Sequence, residues 1–264
     1  MKKSLISILT ISVLFSFLSI KKVHASYLIN NNNINISEEE HNNLLNLGFN
    51  ETEIMNMKQQ EFDENKNLKG EIVSIEEQEI FDIDSLDVIS PMGMSQGYIE
   101  TTGKKMTTTI VSIGNYYRYK VSLEWKSIPS TRSYDIIGIG MNTNVKFASD
   151  ISFQQNYCYS ANNCNSNALH TPLKINTGGT AVFQLPSSSL TSLSAYMYFN
   201  VSKNTSSTIT SQKAYGDYSH ATKTISFANA KKHSIGSSGI VLDNSITSYY
   251  DSIATATSTW TGNW

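Results

Sequence analysis

Tyr116-Tyr117-Arg118-Tyr119-Lys120-Val121-Ser122-Leu123-Glu124-Trp125-Lys126 alternates strictly, with Tyr117, Tyr119, Val121, Leu123 and Trp125 on one side and Arg118, Lys120, Ser122, Glu124 and Lys126 on the other. A period of two marks a β-strand with one buried and one wet face. After a turn cluster at residues 129–133, Asp135-Ile136-Ile137-Gly138-Ile139-Gly140-Met141 reads as a second, more buried strand whose glycines permit close packing. The two together predict a core hairpin. Leu193, Ala195, Met197, Phe199 and Val201, alternating with outward-facing Ser194, Tyr196, Tyr198 and Asn200, supply its partner strand.

The same reading extends through residues 91–264. Short runs rich in Thr, Tyr, Val, Ile and Phe recur at 106–113, 145–153, 180–185, 205–213, 223–227, 238–243 and 251–260, separated by Gly, Asn, Ser and Pro clusters. Evenly spaced short strands with few helical signals predict a mainly β domain, a two-sheet antiparallel β-sandwich.

Residues 26–90 are different in kind. They hold fifteen carboxylates against three lysines, a net charge of −12, whereas residues 91–264 hold seven carboxylates against thirteen bases, a net of +6. Asn30 to Asn33 read as an unstructured polar run. Ser37, followed three places on by Glu40, is a capping box, with Leu44, Leu45 and Leu47 as the apolar face of the helix it opens and Gly48 as its end. Asn50 caps a second helix with Ile54, Met57 and Phe62 on its buried side. A short acidic α-helical hairpin is therefore expected ahead of the sandwich, and the apolar–acidic alternation of residues 71–89 predicts an edge strand or an extended segment. Opposite charge on one chain predicts that the acidic leader docks on the basic body and shields it.

Residues 1–25 carry the three parts of an export signal: Lys2 and Lys3, an apolar run over residues 5–20, and Val23-His24-Ala25 before a mature start at Ser26. The product is expected to be secreted and extracellular. Cys158 and Cys164 form a candidate disulfide pair suited to an oxidising compartment, and no further Cys or closely spaced His completes a metal set around them.

Chemical motifs are thin. Gly93-Met94-Ser95-Gln96-Gly97 matches the pattern of a nucleophile elbow, but a boundary loop precedes it and a strand-like segment follows, whereas that elbow needs a strand turning into a helix. Asp217 and His220, three apart, read as a Gly216–Asp217 hairpin turn with His220 on the wet side. His170 and His233 lie in apparent loops without acidic neighbours. No catalytic residue, cofactor or metal is expected, and the chain reads as a non-enzyme. Trp260 and Trp264, at a polar terminus, and the outward Tyr196 and Tyr198 are the candidate membrane or ligand contacts. The thin alternation of residues 205–227 has the pattern of an amphipathic hairpin that inserts into membranes, and equally of a surface hairpin.

The layout of export signal, acidic leader containing Leu47-Gly48-Phe49-Asn50-Glu51-Thr52-Glu53-Ile54 and Phe62-Asp63-Glu64-Asn65-Lys66-Asn67-Leu68-Lys69-Gly70, and Tyr/Thr-rich β-body resembles that of a group of secreted Gram-positive proteins, and large bacteriocins of the geobacillin type are similar in overall plan. That resemblance implies antibacterial activity. Two functions follow as expectations: a secreted, membrane-active, bacteriocin-like protein whose basic β-domain meets an anionic bacterial membrane or envelope, or a non-catalytic extracellular module that binds glycan or a host or surface protein. Nucleic acid is not an expected partner.

Overall fold

The computed structural model describes residues 27–81, 102–161, 163–167 and 170–264. The export signal and the Ser95 motif lie outside them. In chain order the elements are β1 (Tyr27–Ile29), β2 (Asn35–Ser37), α1 (Glu38–Asn46), α2 (Glu51–Asn56), α3 (Gln59–Asn65), β3 (Glu71–Phe81), β4 (Thr102–Ile113), β5 (Tyr116–Trp125), β6 (Tyr134–Met141), β7 (Val145–Phe147), β8 (Ser152–Ser160), β9 (Asn163–Asn167), β10 (His170–Ile175), β11 (Gly178–Gln184), β12 (Ser192–Lys203), β13 (Ser211–Ser219), α4 (Phe227–Ala230), β14 (His233–Gly236), β15 (Gly239–Leu242) and β16 (Ala254–Thr261).

Two antiparallel sheets face one another. One has seven strands, in the order β3-β4-β5-β12-β8-β9 with β7 also paired to β12; the other has five, in the order β10-β11-β6-β13-β16. The expected partnership of β5 with β12 is present, Tyr119 opposite Phe199 and Lys120 opposite Tyr198. The expected hairpin of β5 with β6 is not. These strands belong to different sheets, so the eight residues between them, with Pro129, arch across the sandwich rather than close a tight turn. Tyr119, Val121, Ile137, Ile139, Met197 and Phe199 interdigitate in the core between the sheets, none more than 1% exposed.

Residues 27–69 form a cap on the outer face of the seven-stranded sheet. Both capping boxes are formed, Ser37 with Glu40 and Asn50 with Glu53. The helical part differs in one respect from the hairpin expected: it has three short helices, because Met57 is extended (ψ 135°) and breaks the second from the third. The asparagine run, expected to be unstructured, is the turn joining β1 to β2. Its amides donate to carbonyls at the end of α2, Asn30 Nδ2 to the Ile54 and Met57 oxygens at 3.2 and 2.9 Å and Asn32 Nδ2 to those of Asn56 and Met57, both at 3.0 Å. Leu44, Leu47, Ile54 and Met57 are fully buried and pack with Val111, Tyr196 and Tyr198 of the sheet. β3 is an edge strand paired with β4.

The outer face of the five-stranded sheet is covered in turn by the β14–β15 hairpin and its flanks, through Ile136, Val182, Ile225, Ile235 and Ile240. Gly140 is required here: a Cβ would stand 2.7 Å from the Gly239 nitrogen and 2.8 Å from the Gly236 oxygen, so the hairpin backbone sits where a side chain would otherwise be.

Candidate binding cleft

The cap positions two features, a buried polar centre and an open cleft beside it. β5 directs Arg118 and Lys120 outward, as its alternation dictates, but the cap covers them and they are only 2% and 1% exposed. The reading of a wet face is therefore corrected for these two, while Glu124 and Lys126 stay exposed: polarity placed the side chains opposite the apolar core, and a second layer then enclosed part of them. Lys120 Nζ lies 2.9 and 2.8 Å from the two oxygens of Glu53, itself 2% exposed, and the Ser122 hydroxyl donates to the same carboxylate at 2.7 Å. Burial lowers the pKa of the Lys120 ammonium, with Glu53 opposing. Arg118 lies 4.3 Å over the ring of Tyr198, in a cation–π contact, and donates through Nε to Asn200 at 3.2 Å. Burial lowers its pKa as well.

Tyr196 and Tyr198, expected to face out as contacts for a membrane or ligand, are 0% and 5% exposed. They do point away from the sandwich core; what they touch is Phe49, edge-on at 5.8 and 5.6 Å. The Tyr196 hydroxyl donates to Glu61, and Asn65 Nδ2 to the Tyr198 hydroxyl at 3.2 Å. Burial pushes the Glu61 carboxyl up to about 7, with the two tyrosine hydroxyls opposing.

Beside this centre, the loop after α1 and the first turn of α2 overhang the outer face of β3–β5 and leave a cleft of about 380 Å³. Ile72 and Ile75 form an apolar rim, 39% and 54% exposed. Thr107, Thr109 and Ser122 make a hydroxyl-bearing floor, and Glu51, Glu77, Lys105 and Glu124 ring it with charge. Gly48 turns the loop over the floor in the left-handed region (φ +82°), where a Cβ would meet the Thr109 methyl at 3.3 Å. The alternation of residues 71–89 contained the rim, but nothing local in sequence said that it would border a concavity.

The remaining candidates are dispersed. Trp260 and Trp264 are half-buried against Tyr117, ring centroids 5.1 and 4.7 Å away, and the tail is tied down by paired backbone bonds between Ile209 and Trp264. Cys158 and Cys164 are joined, S–S 2.07 Å, across the β8–β9 hairpin. Gly216 and Asp217, expected in a turn, lie in β13, where Asp217 is 1% exposed. Its pKa is pushed up to about 6 by burial. His220, expected on the wet side, is 8% exposed and pairs with Asp135 at 3.0 Å rather than with Asp217. His170 and His233, expected in loops, open β10 and β14. Residues 205–227 are no hairpin, because β13 is paired on both sides, to β6 and β16, inside the five-stranded sheet. Among the described residues no group of three His, Cys, Asp or Glu could hold a metal ion, and no helix is long and apolar enough to cross a membrane.

No protein-family model and no curated protein matches the chain. Solved structures similar to part of it include the KRT10-binding region domain of the pneumococcal serine rich repeat protein PsrP, at 14% identity over 57% of this chain and 87% of that one, with a TM-score of 0.29. A pore forming protein is 10% identical over 57% and 83%, TM-score 0.27. AvmM, which catalyzes macrocyclization in Alchivemycin A biosynthesis, is 10% identical over 56% and 82%, TM-score 0.24. Likenesses of this order carry no argument about function, which rests on the geometry above.

Proposed function

We propose that the chain is an exported, non-catalytic recognition module that holds an extended segment of another protein in the cleft between cap and sheet. The cleft itself carries this reading, since concave sites of roughly 300–1,000 Å³ with apolar walls and a few polar groups are where ligands bind. A peptide suits the lining: an apolar side chain would cover Ile72 and Ile75 while a backbone amide met the half-buried Thr107 hydroxyl of the floor. A glycan suits it less, because Phe49, the one ring among the described residues of the lining, is 2% exposed and has no open face to stack on.

The envelope-directed, antibacterial reading draws on surface cations, of which Lys146, Lys213, Lys223, Lys231 and Lys232 stay exposed while others are withdrawn. Lys104, Arg118 and Lys120 are buried, and Lys105, Lys126 and Lys174 are paired with Glu77, Glu124 and Asp150. The double variant Ile72→Thr/Ile75→Thr separates the two readings. Losing one well-covered isoleucine contact costs about 1.5 kcal/mol or more, so binding to an array of immobilised peptides derived from host and bacterial surface proteins should fall at least about tenfold with the melting temperature unchanged. Unaltered peptide binding sinks the cleft; tight association with anionic liposomes that the variant retains supports the envelope reading instead.

A further inference from the structure

We propose that Lys104 and Asp251 condense to an intramolecular amide that ties the two sheets together. Lys104 stands near the start of β4 in the seven-stranded sheet and Asp251 just ahead of β16 in the five-stranded one, 147 positions apart in sequence. The amine is 2% exposed, lies 5.5 Å from the centroid of the Tyr218 ring, and reaches to 3.4 Å from Asp251 Oδ2. Neighbouring Asp135 is already held by His220, the Tyr218 hydroxyl and the Ala221 N–H.

The two carboxylate oxygens of Asp251 are in different surroundings, and the difference suits acyl transfer. Oδ1 accepts the backbone N–H of His220 at 2.7 Å, a fixed donor placed where negative charge grows when a nucleophile adds to Cγ. Oδ2 faces the amine and is the leaving oxygen. One proton passes from Nζ to Oδ2 and gives a neutral amine and a carboxylic acid, so both charges of the pair are lost together. Burial already holds the Asp251 carboxyl above its ordinary range, with Lys104 and the His220 N–H opposing. The Nζ lone pair then forms the N–Cγ bond, a second proton moves from nitrogen to Oδ2, the Cγ–Oδ2 bond breaks and water departs; the amide keeps the third proton. No oxidant, reductant or activating group enters. Holding amine and acid together replaces the activation that the reaction needs in solution. Asp251 is 29% exposed and borders a shallow concavity with Tyr250 and Ile253, which gives the water a way out.

Peptide mapping of the full chain, folded, then denatured and reduced, tests this. The expected result is a branched peptide that joins the segments around Lys104 and Asp251, lighter by one water than the two linear peptides, with no tryptic cleavage after Lys104. Asp251→Asn should lose ammonia in place of water and give a branched peptide of the same mass as the wild type. Lys104→Arg keeps the charge but should give only linear peptides and a lower melting temperature. Linear peptides alone from folded wild-type protein would show an ion pair and nothing more, and would overturn the proposal.

Discussion

On the inner face of the seven-stranded sheet, Tyr119, Val121, Met197 and Phe199 meet the five-stranded sheet; on its outer face, Arg118, Lys120, Tyr196 and Tyr198 meet the cap. Both sets are almost fully buried, and they are buried by different means. The inner set needs little beyond shape, since hydrocarbon packed at crystal-like density has no unmet polar demand and its one hydroxyl, that of Tyr119, donates to Gln212. The outer set needs partners: Glu53 for Lys120, the Tyr198 ring for Arg118, Glu61 for the Tyr196 hydroxyl. A substitution on the inner face leaves a cavity, whereas one on the outer face leaves a charge. The outer face should therefore show large losses that a second substitution recovers, and the inner face should not.

The largest expected effect follows at once. Lys120→Met leaves the Glu53 carboxylate buried without its cation and should cost about 3–5 kcal/mol. Adding Glu53→Leu should recover most of the loss, because a buried ion pair replaced by apolar groups of similar size is often close to neutral. The deficit left should be about 1 kcal/mol for the broken capping box at Asn50. Chemical denaturation of the two single variants and the double measures the cycle. Additive losses would mean that the outer face is held by shape alone, like the inner.

The period of two in residues 116–126 was legible and correct, as were the partner strand β12, the capping box at Ser37, the cap at Asn50 and the buried leucines of the leader. What could not be read was whether the polar side of a strand meets water or a second layer, because alternation reports which side chains are opposed and not what lies beyond them. Tyr196 and Tyr198 illustrate the point: they face away from the core as their spacing requires, and Phe49, more than a hundred residues upstream, is what they reach. The arch between β5 and β6 was missed for a related reason, since a turn cluster does not say whether the chain returns to the same sheet. The cleft is assembled from four separate stretches, so no local pattern could announce it.

Acidity should shift the outer face by a smaller amount. Glu61, held at about 7 in the folded chain against about 4.3 unfolded, binds its proton more tightly when the cap is docked. The stability this confers is complete below the unfolded value and is lost as pH rises through about 7. Asp217, at about 6, His220 and Asp251 are also raised and act in the same direction, while His233, lowered by burial, acts against them. The protein should be more stable near pH 5 than near pH 8, with Glu61 accounting for about 1–3 kcal/mol after allowance for its partial exposure. Glu61→Gln, which keeps an acceptor for Tyr196, should flatten the pH profile of the melting temperature. An unchanged profile would place the titration elsewhere.

Salt should have the smallest effect, although the charges of −12 and +6 on the two parts of the chain suggest a large one. Exposed ion pairs contribute about 0–1 kcal/mol each and are screened over roughly 8 Å at physiological strength, so a cap held by them would lift as salt is raised. Among the described residues, however, the exposed pairs of the cap do not cross the seam. Lys66 pairs with Asp63, Lys69 with Glu39 and His41 with Glu51, all within the cap itself. The pair that does cross, Glu53 with Lys120, is shielded from ions by Phe49 and the two tyrosines, and Leu44, Leu47, Ile54 and Met57 add apolar contact that salt does not weaken. Hydrogen exchange of the amides in α1–α3, compared between low salt and about 1 M, should therefore change by less than about 1 kcal/mol, under tenfold in protection. If cap amides open more than tenfold while those of β5 and β12 stay protected, charge and not the enclosed seam holds the outer layer.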